Sequence, residues 1–129
     1  MFRYIYIIII VFLSFFTLSC KSANELTMER GTYFYERNNY NEAANQFNKV
    51  ILSYPTNTSL IKTKDLEILA HAYQQLSLCQ SKLALQSDNQ DGKNIYFQNA
   101  FKNIEKAMDL TTRPHKRQEY QKTLIGIKN

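Results

Sequence analysis

Two histidines, two cysteines and eleven carboxylates are the side chains with which this chain could do acid–base, metal or nucleophilic chemistry. A zinc site takes three or four His, Cys or carboxylate groups at short, recurring spacings. His71 and His115 lie far apart, and neither stands at such a spacing from acids or from Cys79. Asp88 and Asp91 sit beside Gly92, but the stretch lacks the oxygen ligands of a calcium loop. No glycine-rich phosphate loop, nucleophile elbow or catalytic triad occurs. The expectation is a protein that is not an enzyme and holds no metal or cofactor. Nine Tyr and eight Phe could form a stacking surface, yet six of these aromatics fall within the first nineteen residues. Most of the others recur on the apolar faces of helices, where they read as packing. Cys79 reads as a small buried apolar residue.

The elements begin with a segment to be set apart from the fold. After Arg3, the run "YIYIIIIVFLSFFTLS" carries no charge from Tyr4 to Ser19, and Cys20 and Lys21 follow. A basic start and an apolar core are the marks of a secretory signal, and the run is shorter than the roughly 20 residues of a membrane helix. With a cysteine directly after the apolar core, it resembles the lipoprotein processing site. Ser19 suits that pattern, while Thr17 and Leu18 differ from it. The resemblance implies that residues 1–19 are removed and that Cys20 becomes an acylated first residue. An uncleaved anchor and ordinary secretion are the alternatives. Residues 20–129 then form the mature domain, with fifteen Lys and Arg against eleven Asp and Glu. These charges are spread without a basic run, so no nucleic-acid partner is expected.

Within 20–129, glycine occurs only at 31, 92 and 126 and proline only at 55 and 114. So few breakers among so many Leu, Ile, Ala, Gln, Glu and Lys predict an all-α chain with short connections. A first helix is predicted from Asn24 to Arg37, ended by Asn38 and Asn39. A second starts at Tyr40, with Asn39 as its N-cap and Glu42 reaching back to it. Its inward residues Tyr40, Ala43, Ala44, Phe47, Val50 and Ile51 step by three and four, and Pro55 closes it. A long helix follows from about Leu60 to Leu85, with Ser59 as a candidate cap. The polar stretch Ser87 to Asn94 reads as a loop, and a fourth helix runs from Ile95 to about Leu110. Pro114 starts a last helix carrying Tyr120, Leu124 and Ile127 on one face.

Gly31 and Ala43 fall where two antiparallel helices would have to approach closely, with Phe34 and Phe47 large beside them. With Tyr40, Val50 and Pro55, this pattern resembles the tetratricopeptide repeat, a 34-residue helix–turn–helix. Ala70 and Tyr73, with Leu66 and Leu69, match the first helix of a second copy, whose second helix arrives late as Phe97, Ala100, Ile104 and Ala107. The expected fold is therefore about two repeats of antiparallel helix pairs plus a C-terminal capping helix. On that template Met28, Thr32, Tyr35, Glu36, Glu67, His71, Gln74 and Gln75 share the inner face. They form a candidate peptide groove, with a plain solvated face as the alternative. Since solenoids bury their faces against neighbours, Tyr120, Leu124 and Ile127 should either seal the open end or dock on a partner.

The apolar leader with Cys20, the "SYP" ending at Pro55 and the helix "LAHAYQQL" together resemble the BamD family. These are lipoproteins of the outer-membrane β-barrel assembly machinery. The resemblance covers roughly Asn24 to Tyr73, the N-terminal repeats of that family, in a chain about half its usual length. In the family, later repeats carry much of the contact with the barrel-forming subunit. The resemblance implies a non-catalytic accessory in outer-membrane protein assembly, anchored through acylated Cys20 in the outer membrane and facing the periplasm. Its partner would be the barrel-assembly subunit or another envelope protein. An adaptor for a different envelope assembly, or a surface-exposed ligand-binding lipoprotein, are the alternatives.

Overall fold

The computed structural model describes the backbone of residues 1–17 and 21–129 and the side chains of 1–13 and 21–129. The described residues form α-helices without a strand: α1 (Phe2–Thr17), α2 (Ala23–Glu36), α3 (Tyr40–Leu52), α4 (Thr63–Gln86), α5 (Gln90–Leu110) and α6 (Pro114–Lys128). A short 3-10 turn, Thr58–Leu60, precedes α4. Cys20 lies outside the described residues. In α1 the apolar side chains described, Ile7 and Phe12 among them, are exposed. The helix is about 24 Å long at 1.5 Å per residue, and no described helix is long and apolar enough to cross a membrane.

Local chemistry sets the helix ends. Ser22 Oγ accepts the Glu25 N–H to start α2, and Asn39 Oδ1 accepts the Glu42 N–H to start α3. Between these helices Asn38 takes φ 61°, a left-handed angle that asparagine tolerates better than most residues. Glu42 does not reach back to the cap as expected. Its carboxylate instead accepts from Gln46 Nε2, one turn on, at 2.9 Å.

Two connections differ from their sequence reading. Asn57 rather than Ser59 is the capping residue before Leu60, since its Oδ1 accepts from Ser59 N–H and Oγ. Ile61 is then extended, and this delays α4 to Thr63. The stretch read as a loop over Ser87 to Asn94 is mostly the first turn of α5. Asn89 Oδ1 accepts the Asp91 N–H, Gln90 bonds Asn94 one turn on, and Asp91 suits the positive helix end. The segment is polar because that turn is exposed. The late arrival of Phe97, Ala100, Ile104 and Ala107 is thus absorbed by long helices, 24 residues in α4 and 21 in α5 against 14 and 13 in α2 and α3.

Each of α2 to α6 packs antiparallel on its sequence neighbour, and α2 touches α4 as α4 touches α6. The odd-numbered helices α3 and α5 therefore back a layer formed by α2, α4 and α6. A first core gathers Met28, Ala43, Phe47, Val50, Ala72, Leu76 and Cys79, with Phe34 and Tyr35 against it. A second gathers Leu69, Ala70, Ile104, Ala107, Leu110 and Tyr120, with Tyr73, Leu124 and Ile127 against it. Ile51 and Tyr54 pack on both. Gly31 is buried because a Cβ there would lie under 3.0 Å from three carbons of the Phe47 ring. Tyr40 meets Tyr35 edge-on at 5.2 Å and donates to Asn38 Oδ1. Pro55 stands three residues beyond the end of α3 and lines a cleft with Tyr54 and Tyr73. Cys79 is fully buried, and desolvation pushes its thiol up to about 12, so it remains a neutral packing residue.

Candidate functional site

The layer of α2, α4 and α6 carries a trough along its outer surface. Two contiguous hollows build its N-terminal half. One, of about 340 Å³, is lined by Met28, Glu29, Thr32, Tyr33 and Glu36 of α2 and His71 of α4. The next, of about 380 Å³, continues over Glu67, Ile68 and His71 of α4 to Arg113, Lys116 and Tyr120 at the start of α6. Its other wall is Glu25 and Glu29 of α2 with Lys21, which precedes that helix. The spacings 25, 28, 29, 32 and 36 recur at three and four, so one helical face supplies that wall.

Of the expected groove residues, Met28, Thr32, Glu36 and His71 come together here. Glu67 lines the trough as well, whereas Tyr35, Gln74 and Gln75 are corrected by their packing. Tyr35 turns toward the first core and lines a separate hollow with Leu78, Leu85, Phe97 and Ile127 at the far end of the same layer. Gln74 is buried between α4 and α6, where its Nε2 donates to Thr123 Oγ1 at 3.2 Å. Its Oε1 has no partner among the described residues. Gln75 lines neither half of the trough.

Glu67 borders the trough, but its carboxylate is already engaged. It accepts from Thr111 Oγ1 at 2.8 Å and from Thr112 N–H and Oγ1 at 2.8 and 3.0 Å. Burial alone would raise its pKa, but these hydrogen bonds, with Arg113 nearby, outweigh burial and lower it. Glu67 therefore holds the α5–α6 corner in place, and Arg117 adds hydrogen bonds to the carbonyls of Met108 and Thr111. Glu67→Ala should cost about 1–3 kcal/mol, the usual penalty for orphaned hydrogen-bonding groups. Urea unfolding of the variant measures it.

The candidate edge on α6 also resolves by packing. Tyr120 is only 1% exposed, and Leu124 and Ile127 lie against the second core. Tyr120 closes the stack against α4 and α5, and Leu124 and Ile127 are partly buried against the same core, which is the packing of a seal.

The charges on the trough walls are mixed. Lys21 pairs with Glu29, Lys64 approaches Glu25 at 3.8 Å, and Lys116 pairs with Glu119 at 3.1 Å. Burial first, then the charge of Lys116, holds His71 below its ordinary pKa of 6.5, while Glu119 opposes the shift. His71 is thus a neutral polar group on the trough floor at pH 7. In the unfolded chain it takes up a proton at higher pH than in the fold. Its contribution to stability is full above about 6.5 and is lost as pH falls from there through the folded pKa. Melting temperatures of the wild type and His71→Gln between pH 8 and pH 5 check this. The variant should lose part of the acid-side decline.

Among the described residues no group of three His, Cys, Asp or Glu is placed to hold a metal ion. The trough presents methionine, aromatic edges, hydroxyl and paired charges. These suit an extended peptide side by side with a helix layer. Sequence reasoning missed Lys21, Glu25, Glu29, Ile68, Arg113 and Lys116. The three-and-four spacing of Glu25 and Glu29 with Met28 and Thr32 was the available signal for the first wall. The second wall depends on how α6 returns across α4, which no local pattern encodes. No family model matches the chain, and neither does a curated protein or a solved structure.

Proposed function

We propose that this chain is a non-catalytic, lipid-anchored adaptor that binds protein in the cell envelope. The observation that carries the reading is the trough over α2, α4 and α6, which gathers Met28, Thr32, Glu36 and His71 from two helix pairs. It is a surface of mixed polarity shared by several helices, and it suits recognition of a peptide segment. The proposed setting is outer-membrane protein assembly, as a short BamD-like accessory facing the periplasm, and the support for it is the leader with Cys20 and the repeat pattern up to Tyr73. An adaptor for another envelope assembly is the second reading, and the same trough would serve it.

A photo-crosslinking residue at Thr32, compared with one at Lys102 on α5, tests the binding role in intact cells. Adducts at position 32 and not at 102 are expected, and the barrel-forming subunit among them favours the first reading over the second. Equal labelling at both positions rejects the trough as the binding surface. Protease treatment of intact cells separates these readings from a surface-exposed lipoprotein, which would be cut.

The anchor has its own test. Cys20→Ala should release the protein from membranes or leave its precursor uncut. Acyl chains contribute about 0.8 kcal/mol per buried methylene, far more than a mildly charged domain can supply. Membrane fractionation with a size comparison on gels reads both outcomes. Normal processing and membrane binding of the variant would reject acylation at Cys20.

A further inference from the structure

The N-terminal ends of α2, α4 and α6 and the C-terminal ends of α3 and α5 converge on one end of the stack. Ser53 Oγ donates to Asn24 Oδ1 and ties the end of α3 to α2. Tyr54 OH bonds Asp65 and ties the same corner to α4. The Glu67 hydrogen bonds add the α5–α6 corner. This end carries exposed Lys21, Lys62, Lys64, Arg113, His115 and Arg117. Glu29 is engaged with Lys21, Glu25 with Lys64, Asp65 with Tyr54, and Glu67 with the threonines, while Asp109 in the last turn of α5 is exposed. Lys62 and Arg113 form no ion pair among the described residues. Leu52 and Leu60, in the same corner, are 83% and 72% exposed. Leucines left in water beside exposed cations suit the boundary of an anionic bilayer, where the first enter the acyl edge and the second meet phosphates. The far end also shows Leu85, Ile95 and Ile125, but there the exposed Glu36, Asp88 and Asp91 stand among Arg37, Lys82 and Lys128, so its charge is balanced and gives an anionic surface less to hold.

The geometry points to this end as a membrane-contact face that sets the stack upright on anionic phospholipid, with the trough held beside the bilayer. The inference rests on the anchor reading for residues up to Cys20. Only Lys21 and Ser22 separate Cys20 from α2, which begins at Ala23. Three extended steps reach at most about 11 Å. An anchor at residue 20 therefore forces this end, and no other, against the headgroups. Leu52 borders the cleft beside Tyr54 and Pro55, yet most of its side chain and of Leu60 stays in water. Contact with lipid covers both.

The chain contains no tryptophan, so one introduced residue is a clean reporter. Acylated full-length protein with Leu60→Trp, and separately with Ile95→Trp, is purified from membranes. Each is reconstituted on phosphatidylcholine vesicles with or without phosphatidylglycerol, using brominated lipid as quencher. Flotation reports the anchor, and quenching reports the face. The expected result is flotation on both vesicle types, with the Leu60→Trp emission blue-shifted and quenched most strongly on phosphatidylglycerol, and the Ile95→Trp emission unchanged. Adding Lys62→Glu and Arg113→Glu should lower the quenched fraction, since each basic residue near such a surface strengthens contact about fivefold. Flotation without quenching at position 60, or with quenching at position 95 instead, overturns the face and leaves the anchor standing. Failure to float on either vesicle type overturns the anchor, and the face with it.

Discussion

Phe47→Ala should lower the stability of the helical domain by about 3–5 kcal/mol, the usual cost of emptying a buried aromatic site. Phe47 is fully buried in the first core, and its ring fills the space that the missing side chain of Gly31 leaves open. The same contact makes a second test with the opposite geometry. In an open helix interior, Gly→Ala is favourable by roughly 1 kcal/mol. At position 31 the sign should reverse, because the new Cβ would overlap the Phe47 ring. Gly31→Leu should be worse, since its longer side chain drives α2 and α3 apart. The graded series Gly31→Ala, Gly31→Leu and Phe47→Ala can be read by thermal melts. For a domain of this size each kcal/mol lowers the melting temperature by about 4 °C. Losses under about 1 kcal/mol for both Gly31→Leu and Phe47→Ala would remove the close α2–α3 approach as an organising contact.

Deleting Pro114 to Asn129 should unfold or aggregate the domain rather than merely weaken a partner contact. α6 covers Leu69, Ala70, Ile104, Ala107 and Leu110, the second core, and Tyr120 is the largest side chain buried there. Helix-pair repeats bury their faces against neighbours, and about three are normally needed for a stable stack. With two pairs, α6 takes the place of a third. Burial and the nearby carboxylate of Glu67 push the Tyr120 hydroxyl up to about 12, so it stays neutral through the physiological range. Tyr120→Ala is the milder form of the experiment and should cost about 3 kcal/mol or more, as other buried aromatics do. Circular dichroism melts and light scattering of both variants report the outcome. A truncated chain that keeps its melting temperature and loses only its protein partner would make α6 a docking element. One that keeps both would leave α6 without either role.

The sequence by itself determined the helices and the tightest contact between them. Ala43, Phe47 and Val50 recur at helical spacing, Gly31 is the one small breaker in the helix before them, and Asn38–Asn39 and Pro55 bracket α3. These are local rules of period, capping and backbone angle, and they act within a few residues. The helical start hidden in the stretch Ser87 to Asn94 was misread for a related reason. An exposed first turn and a loop share the same polar composition, and only the Asn89 cap distinguishes them. What the tertiary structure decided is which faces the helices share. Gln74 and Gln75 stand three and four residues from His71 and look like its groove neighbours. The return of α6 across α4 buries Gln74 against Thr123 and brings Arg113 and Lys116 to the trough in its place. Glu67 likewise became a corner brace because Thr111 and Thr112 meet it from more than forty positions away in the chain. Such pairings follow from loop closure and the summed burial of two cores. Neither is encoded in any one segment, so spacing alone could name the trough's first wall but not its second.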